Sequence, residues 1–290
     1  YLNFIKKKIY ITILEKDKKI TINNSKNNNL FVLKKHEKNN DNLNIKLDND
    51  LIDNSTPNQK KKTSTQNLDP VGKTPKLFKY RIAIIPTAEW SNYYINTYQA
   101  NDLDNSQKRA IVLSEISVAL SALNSITERD LGITFELVDN NELLIEFDDT
   151  RDGLTNNHKY KMLGEGMNIL NNFIGFNNFD IGHVFNFGGG GVAYLSALCS
   201  SSKGAAVSGG TNSTGFHFVF AHEVGHQLGA RHTFNANVGS GTNRVETGAG
   251  RTIMGYGPRG ESNLYYHAKS IKEITNILNK YEKTKIIYER

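Results

Sequence analysis

His222-Glu223-Val224-Gly225-His226-Gln227-Leu228-Gly229-Ala230-Arg231-His232 is the stretch of this chain with the densest chemistry, and its spacing predicts both a helix and the point where that helix stops. His222 and His226 are four residues apart, so on a helix they stand one turn above the other and can aim two imidazoles at one metal ion. Glu223 lies beside the first, next to the metal rather than on it. An unbroken helix would carry His232 away from the other two. The chain must therefore turn after Gln227-Leu228, and Gly229 tolerates the positive φ of a helix C-terminal stop. Three neutral imidazoles at about 2.0–2.1 Å fill three tetrahedral positions and leave the fourth for water, the arrangement of catalytic rather than structural zinc. One Zn2+ is the cofactor expected. Zinc lowers the pKa of such a water toward about 7 and polarises a carbonyl, while Glu223 takes the water proton and returns it to a leaving amine. With 8 His and 24 Gly in 290 residues, a chance match to the fixed positions is on the order of 10⁻⁵ per chain.

Upstream of this segment the pattern alternates strand and helix. Tyr80 to Pro86 reads as an apolar strand ended by proline, and Leu113, Ile116, Leu120 and Leu123 mark one face of a long helix over Ser106–Glu128. Strands are predicted at Ile133–Val138 and Leu143–Phe147, a second helix over Tyr160–Ile174, then strands at Ile181–Phe187 and Val192–Leu198 around the glycines 188–191. This order predicts an α/β (α+β) domain with a mixed, mostly parallel twisted sheet and long helices. It is completed by the helix of the histidine motif and a C-terminal helix over Ala268–Leu278.

Thr252-Ile253-Met254-Gly255-Tyr256 follows the histidines, and the two motifs together resemble the metzincin zinc peptidases. Within that group the chain is most similar to secreted bacterial reprolysin-like enzymes and, through them, to adamalysins. The likeness covers roughly residues 80–281. It implies a zinc metalloendopeptidase, secreted, acting on extended polypeptide. It also implies that His222, His226 and His232 are the ligands, that Glu223 is the general base, and that Met254 forms the apolar floor beneath the imidazoles. Gly191 to Cys199 looks like the edge strand above the cleft in these enzymes, so Val192, Ala193, Tyr194 and Leu195 are the expected partners of a substrate strand. Tyr256 resembles the tyrosine that astacins and serralysins place beside zinc, and reads either as an oxyanion donor or as a packing residue. Two departures stand out. Thr233 follows the third histidine where adamalysins often have Asp, and Cys199 lacks the disulfide partner usual at that position. As the single cysteine it reads as a small core residue.

Composition bounds the alternatives. A chain that is 38% hydrophobic and 22% charged is an ordinary globular one. Its net charge of +6 is uneven, since residues 1–75 carry 15 Lys against 8 acids and the remainder is close to neutral. The segment before residue 54 predicts a β-rich unit, with a hairpin at Lys8–Leu14 and Lys19–Ile22, and is read as part of a pro-segment. Residues 54–75 are a polar linker, and 76–290 the catalytic domain. The scattered lysines lack a recognition motif, so no nucleic-acid partner is expected. No apolar run approaches the roughly 20 residues of a membrane span. A monomer is expected, and the start at Tyr1 suggests a leader outside the sequence.

If residues 1–75 inhibit in cis, no cysteine can serve, which leaves a carboxylate such as Asp53 or Asp69, or a lysine-rich plug. His183 and His217 read as satisfied core or surface histidines, and His36, His158 and His267 carry no spacing signal. The glycines 188–191 lack the Lys-Ser/Thr of a phosphate loop and fit a cleft rim. Asp148-Asp149 with Asp152-Gly153 reads as a solvated turn, and Ca2+ there has no further support. The competing function from another class is a zinc-containing binding or adhesion protein on the same scaffold, without proteolysis.

Overall fold

The computed structural model describes residues 2–5, 8–15, 18–24, 31–36, 50–52, 76–235, 242–257, 263–281 and 287–289, the strands outside 50–246 through their backbones. Four strands near the N-terminus, β1 (Leu2–Ile5), β2 (Lys8–Glu15), β3 (Lys18–Asn24) and β4 (Phe31–His36), form an antiparallel sheet in sequence order. The expected hairpin is its β2–β3 pair, in register Ile11↔Ile22. The expected linker over residues 54–75 lies outside the described residues.

The second sheet carries the site. Its centre is β6 (Lys76–Pro86), flanked by β7 (Ile133–Leu137) on one side and by β8 (Ile181–Asn186) on the other, both parallel to it. Next come β10 (Ala206–Gly209), parallel to β8, then β9 (Gly190–Tyr194), antiparallel to β10, and last the two-residue β5 (Leu51–Ile52), parallel to β9. Strand β13 (Ile287–Glu289) pairs antiparallel with the start of β6. A third, two-stranded sheet joins β11 (His232–Phe234) to β12 (Thr242–Glu246). The mixed, mostly parallel sheet matches the expectation.

Helices α1 (Ala88–Thr97), α2 (Asn105–Leu131), α4 (Thr214–Gln227) and α5 (Ala268–Tyr281) and α3 (Lys159–Phe173) divide between the two faces of this sheet. Alternation along the strands sorts the core accordingly. Ile82 and Ile84 join Ile116, Leu123, Val224 and Ile274 in one layer, while Ala83 and Ile85 join Val184, Met162 and Leu170 of α3 in the other. Both strand faces are thus buried, which is why β6 and β8 read as continuous apolar runs. Aromatic rings tie α4 to the sheet, with Phe185 of β8 centred 5.0 Å from Phe216 and 4.8 Å from Phe220. His183 on the same strand is a core histidine. Its ring nitrogens meet Gln227 Oε1 at 3.1 Å and Ser208 Oγ at 2.8 Å, and burial pushes its pKa down to about 3.

Three local features depart from the sequence reading. The strand expected at Leu143–Phe147 is a 3-10 turn over Asn141–Leu144 followed by irregular chain. Asn140 at φ 62° breaks the extension, and the Asn141 side chain accepts from Ile84 N and donates to Ile84 O, closing the strand end without a new strand. The strand expected at 192–198 begins two residues earlier and stops at Tyr194, where Ser196 at φ 58° turns the chain. Helix α1 was not anticipated, although Thr87, whose hydroxyl accepts from Trp90 N, is an ordinary N-cap.

Helix α2 starts on a capping box between Asp104 and Gln107 and ends at Gly132 in the left-handed region, φ 64°. Among the described residues it is the one helix long and apolar enough to cross a membrane, and 78% of its apolar window is buried inside the protein. Its apolar surface is therefore taken up by the core. Leu123, 1% exposed, sits where α2 meets that core. Leu123→Ala is expected to cost about 2–5 kcal/mol, read as a fall of about 2–4 °C in Tm per kcal/mol in a thermal melt of the whole chain.

Candidate metal centre

Helix α4 is buried from Phe216 to Gln227, so an apolar sequence all round it is what packing between the sheet and α2 requires. Ser213 caps its start by accepting from Phe216 N. His222, Glu223 and His226 leave its last two turns on one side. The helix stops at Leu228, and Gly229 takes φ 104°, a value that side chains resist. The reversal lets Ala230 N donate back to Gly225 O at 2.9 Å and sends the chain into β11, whose first residue is His232.

Three imidazoles converge there. His226 Nε2 lies 3.1 Å from His222 Nε2 and 3.1 Å from His232 Nε2. The opposite nitrogens decide what these contacts are. His222 Nδ1 is 2.6 Å from Ile253 O, and His226 Nδ1 is 2.7 Å from Ala230 O. A carbonyl can only accept, so both Nδ1 atoms carry the proton, and in the neutral ring each Nε2 presents a lone pair. Burial pushes the His226 pKa down to about 3, and lowers that of His232 as well, so the neutral ring is the form present at pH 7. Two lone pairs facing each other at 3.1 Å repel, whereas ligands at about 2.0–2.1 Å from one tetrahedral ion stand about 3.3 Å apart. The donor set fits zinc.

A fourth group completes the cluster. Asp50 lies with its Oδ1 2.7 Å from His232 Nε2 and its Oδ2 3.3 Å from His222 Nε2, and all four residues are buried. An ionised carboxylate facing imidazole lone pairs is a second acceptor clash, and a cation between them removes both. Asp50 is held there by its own backbone. Ala193 N donates to Asp50 O and Leu195 N to Ile52 O, each at 2.8 Å, which is the β5–β9 pairing.

The remaining expected residues lie around this cluster. Glu223, 1% exposed, turns toward β9, and its Cγ and Cδ stand 2.6 Å from where a Cβ on Gly191 would be. Only glycine leaves room for that carboxylate. Met254 is fully buried, with Sδ 2.5 Å from the Cβ position of Gly225, which lies between the two helical histidines. The Tyr256 ring is centred 4.8 Å from His232 and 5.8 Å from His222. Burial raises its hydroxyl pKa, as do the charges of Asp50, to which it hydrogen-bonds, and of Glu223. Val192 and Ala193 are buried in β9, Tyr194 is half-buried, and Leu195 begins the turn after it.

Elsewhere, His217 contacts Asn212 at 3.3 Å, away from this cluster, and Cys199 is half-buried against the core. Asp148 accepts from Thr150 N and Oγ1 and pairs with Arg151, and Asp152 accepts from Ala88 N and Leu154 N. Sequence reasoning overlooked Asp50. Asp53 and Asp69, which it weighed instead, lie outside the described residues. The one signal for Asp50 was the apolar pair Leu51-Ile52 immediately after an acid in an otherwise polar stretch.

Residues 113–233 match the family model described as metallo-peptidase family M12B, reprolysin-like. That match takes in the later part of α2, the whole of α4 and all three histidines, and stops before Met254. No curated protein matches the chain. Among solved structures, metalloproteinase-II from Bacteroides fragilis is similar at a TM-score of 0.43 and 15% identity, covering 72% of this chain and 55% of that one, a likeness too distant to bear on fold or activity. The chain thus spans little more than half the length of that protein. Through residues 113–233, the stretch that carries His222, His226 and His232, the chain is similar to the reprolysin-like metallopeptidases of family M12B.

Proposed function

We propose that the protein is a zinc-dependent endopeptidase, held latent by its own segment around Asp50. The observation that carries the reading is the convergence of three Nε2 atoms, two of them on rings whose tautomer is set by a backbone carbonyl. His222, His226 and His232 would hold zinc, which supplies Lewis-acid polarisation of a peptide carbonyl and of water. The chain's own groups do the rest. Glu223 accepts a proton from the attacking water and hands it to the leaving nitrogen, and the contact with Gly191 sets where that carboxylate points. The Tyr256 hydroxyl, kept protonated by burial, donates to the developing oxyanion in place of Asp50. The outer edge of β9 takes the extended substrate through the Ala193 and Leu195 amides, the groups that β5 engages here.

Latency follows from the same contacts. Asp50 stands among the nitrogens that would bind the metal, and residues 51–52 cover the substrate edge. A ligand tethered within the chain competes at an effective concentration in the millimolar range. Secretion rests on the resemblance to secreted enzymes alone.

A peptide-library digest of the whole chain after release of residues 1–75 is expected to show internal cleavage that a chelator abolishes. Glu223→Ala should lower it about 10²–10⁴-fold. Unchanged cleavage under both treatments would sink the reading, and zinc binding with an intact library would favour the adhesion alternative. Asp50→Ala in the uncut chain is expected to raise activity about tenfold or more, and equal rates would remove the latency. Gly191→Ala, which pushes Glu223 aside, should lower kcat about 10²-fold with KM little changed, measured on the best library peptide.

A further inference from the structure

Glu246, at the end of β12, lies outside the histidine motif and outside the methionine turn, yet its carboxylate joins the two. Oε2 accepts from the hydroxyls of Thr233 and Thr252, and Oε1 accepts from the backbone amides of Arg251 at 2.9 Å and Thr252 at 3.1 Å. Four donors saturate one carboxylate. Both threonines are buried, at 0% and 2% exposure, so the bonds are shielded from water where they form.

What those donors belong to gives the residue its consequence. Thr233 is the neighbour of His232, and its amide also donates to Met254 O at 3.0 Å. Thr252 is the neighbour of Ile253, whose carbonyl takes the Nδ1 proton of His222 at 2.6 Å. Glu246 therefore ties the strand that presents one imidazole to the turn that orients another. β11 has only three residues and an irregular register with β12, so its own ladder cannot hold His232 firmly.

We propose that Glu246 is a positioning residue for the metal centre, setting His232 through Thr233 and His222 through the Thr252-Ile253 turn. The inference rests on the zinc reading of the three histidines. Partners one step removed from a metal typically alter affinity about 10–100-fold when lost. The variants grade the effect. Glu246→Ala removes all four acceptor contacts. Thr233→Val releases His232 from the clamp but leaves the two amides bonded to Glu246. In Glu246→Gln the amide oxygen can still serve the two fixed backbone donors, while its NH2 faces two hydroxyls that can rotate to accept, so this variant should largely restore the site.

The test measures Zn2+ dissociation constants by competition with a chromogenic chelator, and the visible ligand-field spectrum of the Co2+ form, on the whole chain. Circular dichroism of each variant checks folding. Wild type binding neither ion would overturn the zinc reading itself. With wild type binding, the expected result is a loss of about 10–100-fold in Glu246→Ala, a smaller loss in Thr233→Val, near-recovery in Glu246→Gln, and a shifted Co2+ spectrum in the first two. Wild-type affinity and an unshifted spectrum in Glu246→Ala would overturn the proposal while the zinc reading stands. Should that variant not fold, Thr233→Val decides in the same way, an unchanged affinity and spectrum again overturning it.

Discussion

Two hydrogen bonds to backbone carbonyls, His222 Nδ1 to Ile253 O and His226 Nδ1 to Ala230 O, determine what the rest of the site can be. By taking the Nδ1 proton they leave the Nε2 lone pair free on each ring and fix the plane in which it points. Neither carbonyl comes from the helix that carries the histidines. One belongs to the chain just past the Gly229 reversal and the other to the turn that contains Met254. The donor set therefore exists only when helix, reversal and turn have all reached their places, and anything that shifts one of them moves an imidazole.

The larger fold serves that requirement. Buried on every side, α4 is clamped between the sheet and α2 by Phe216, Phe220 and Val224. The Gly225 position lets Met254 approach the helix closely. Glu223 is aimed by a similar economy of space, since its carboxylate lies where Gly191 has no side chain. A site built by close packing is stiff, because interiors packed at this density transmit a displacement of one group to its neighbours.

The same edge that would receive substrate is engaged by residues 50–52. Backbone pairing with β9 needs only an extended segment, so it selects no particular sequence. The specific element is the Asp50 carboxylate, which meets the histidine nitrogens at the position where the pairing places it. On the proposed reading, residues 50–52 occupy the edge that substrate would use, with one side chain supplying the contact to the histidine nitrogens.

The candidate metal-binding histidines stand out in the sequence because their spacing is local. Spacing of four puts His222 and His226 on one helix face, and Gly229 marks the reversal that returns His232. The alternating strand and helix pattern likewise predicted the mixed sheet, since the periodicity of burial is written along each element. Asp50 and Glu246 were not legible. Asp50 has only the apolar pair Leu51-Ile52 after it, and Glu246 nothing, to distinguish them from the other acids of a chain with 29. Asp50 lies 172 positions before His222, and Glu246 14 after His232. Their roles depend on strand pairing and on which donors the folded chain brings within hydrogen-bonding reach. The sequence by itself determined the ligand types and the scaffold class. Tertiary structure alone decided which carboxylate meets the histidines and which one bridges Thr233 and Thr252, because those contacts are made across the fold rather than along the chain.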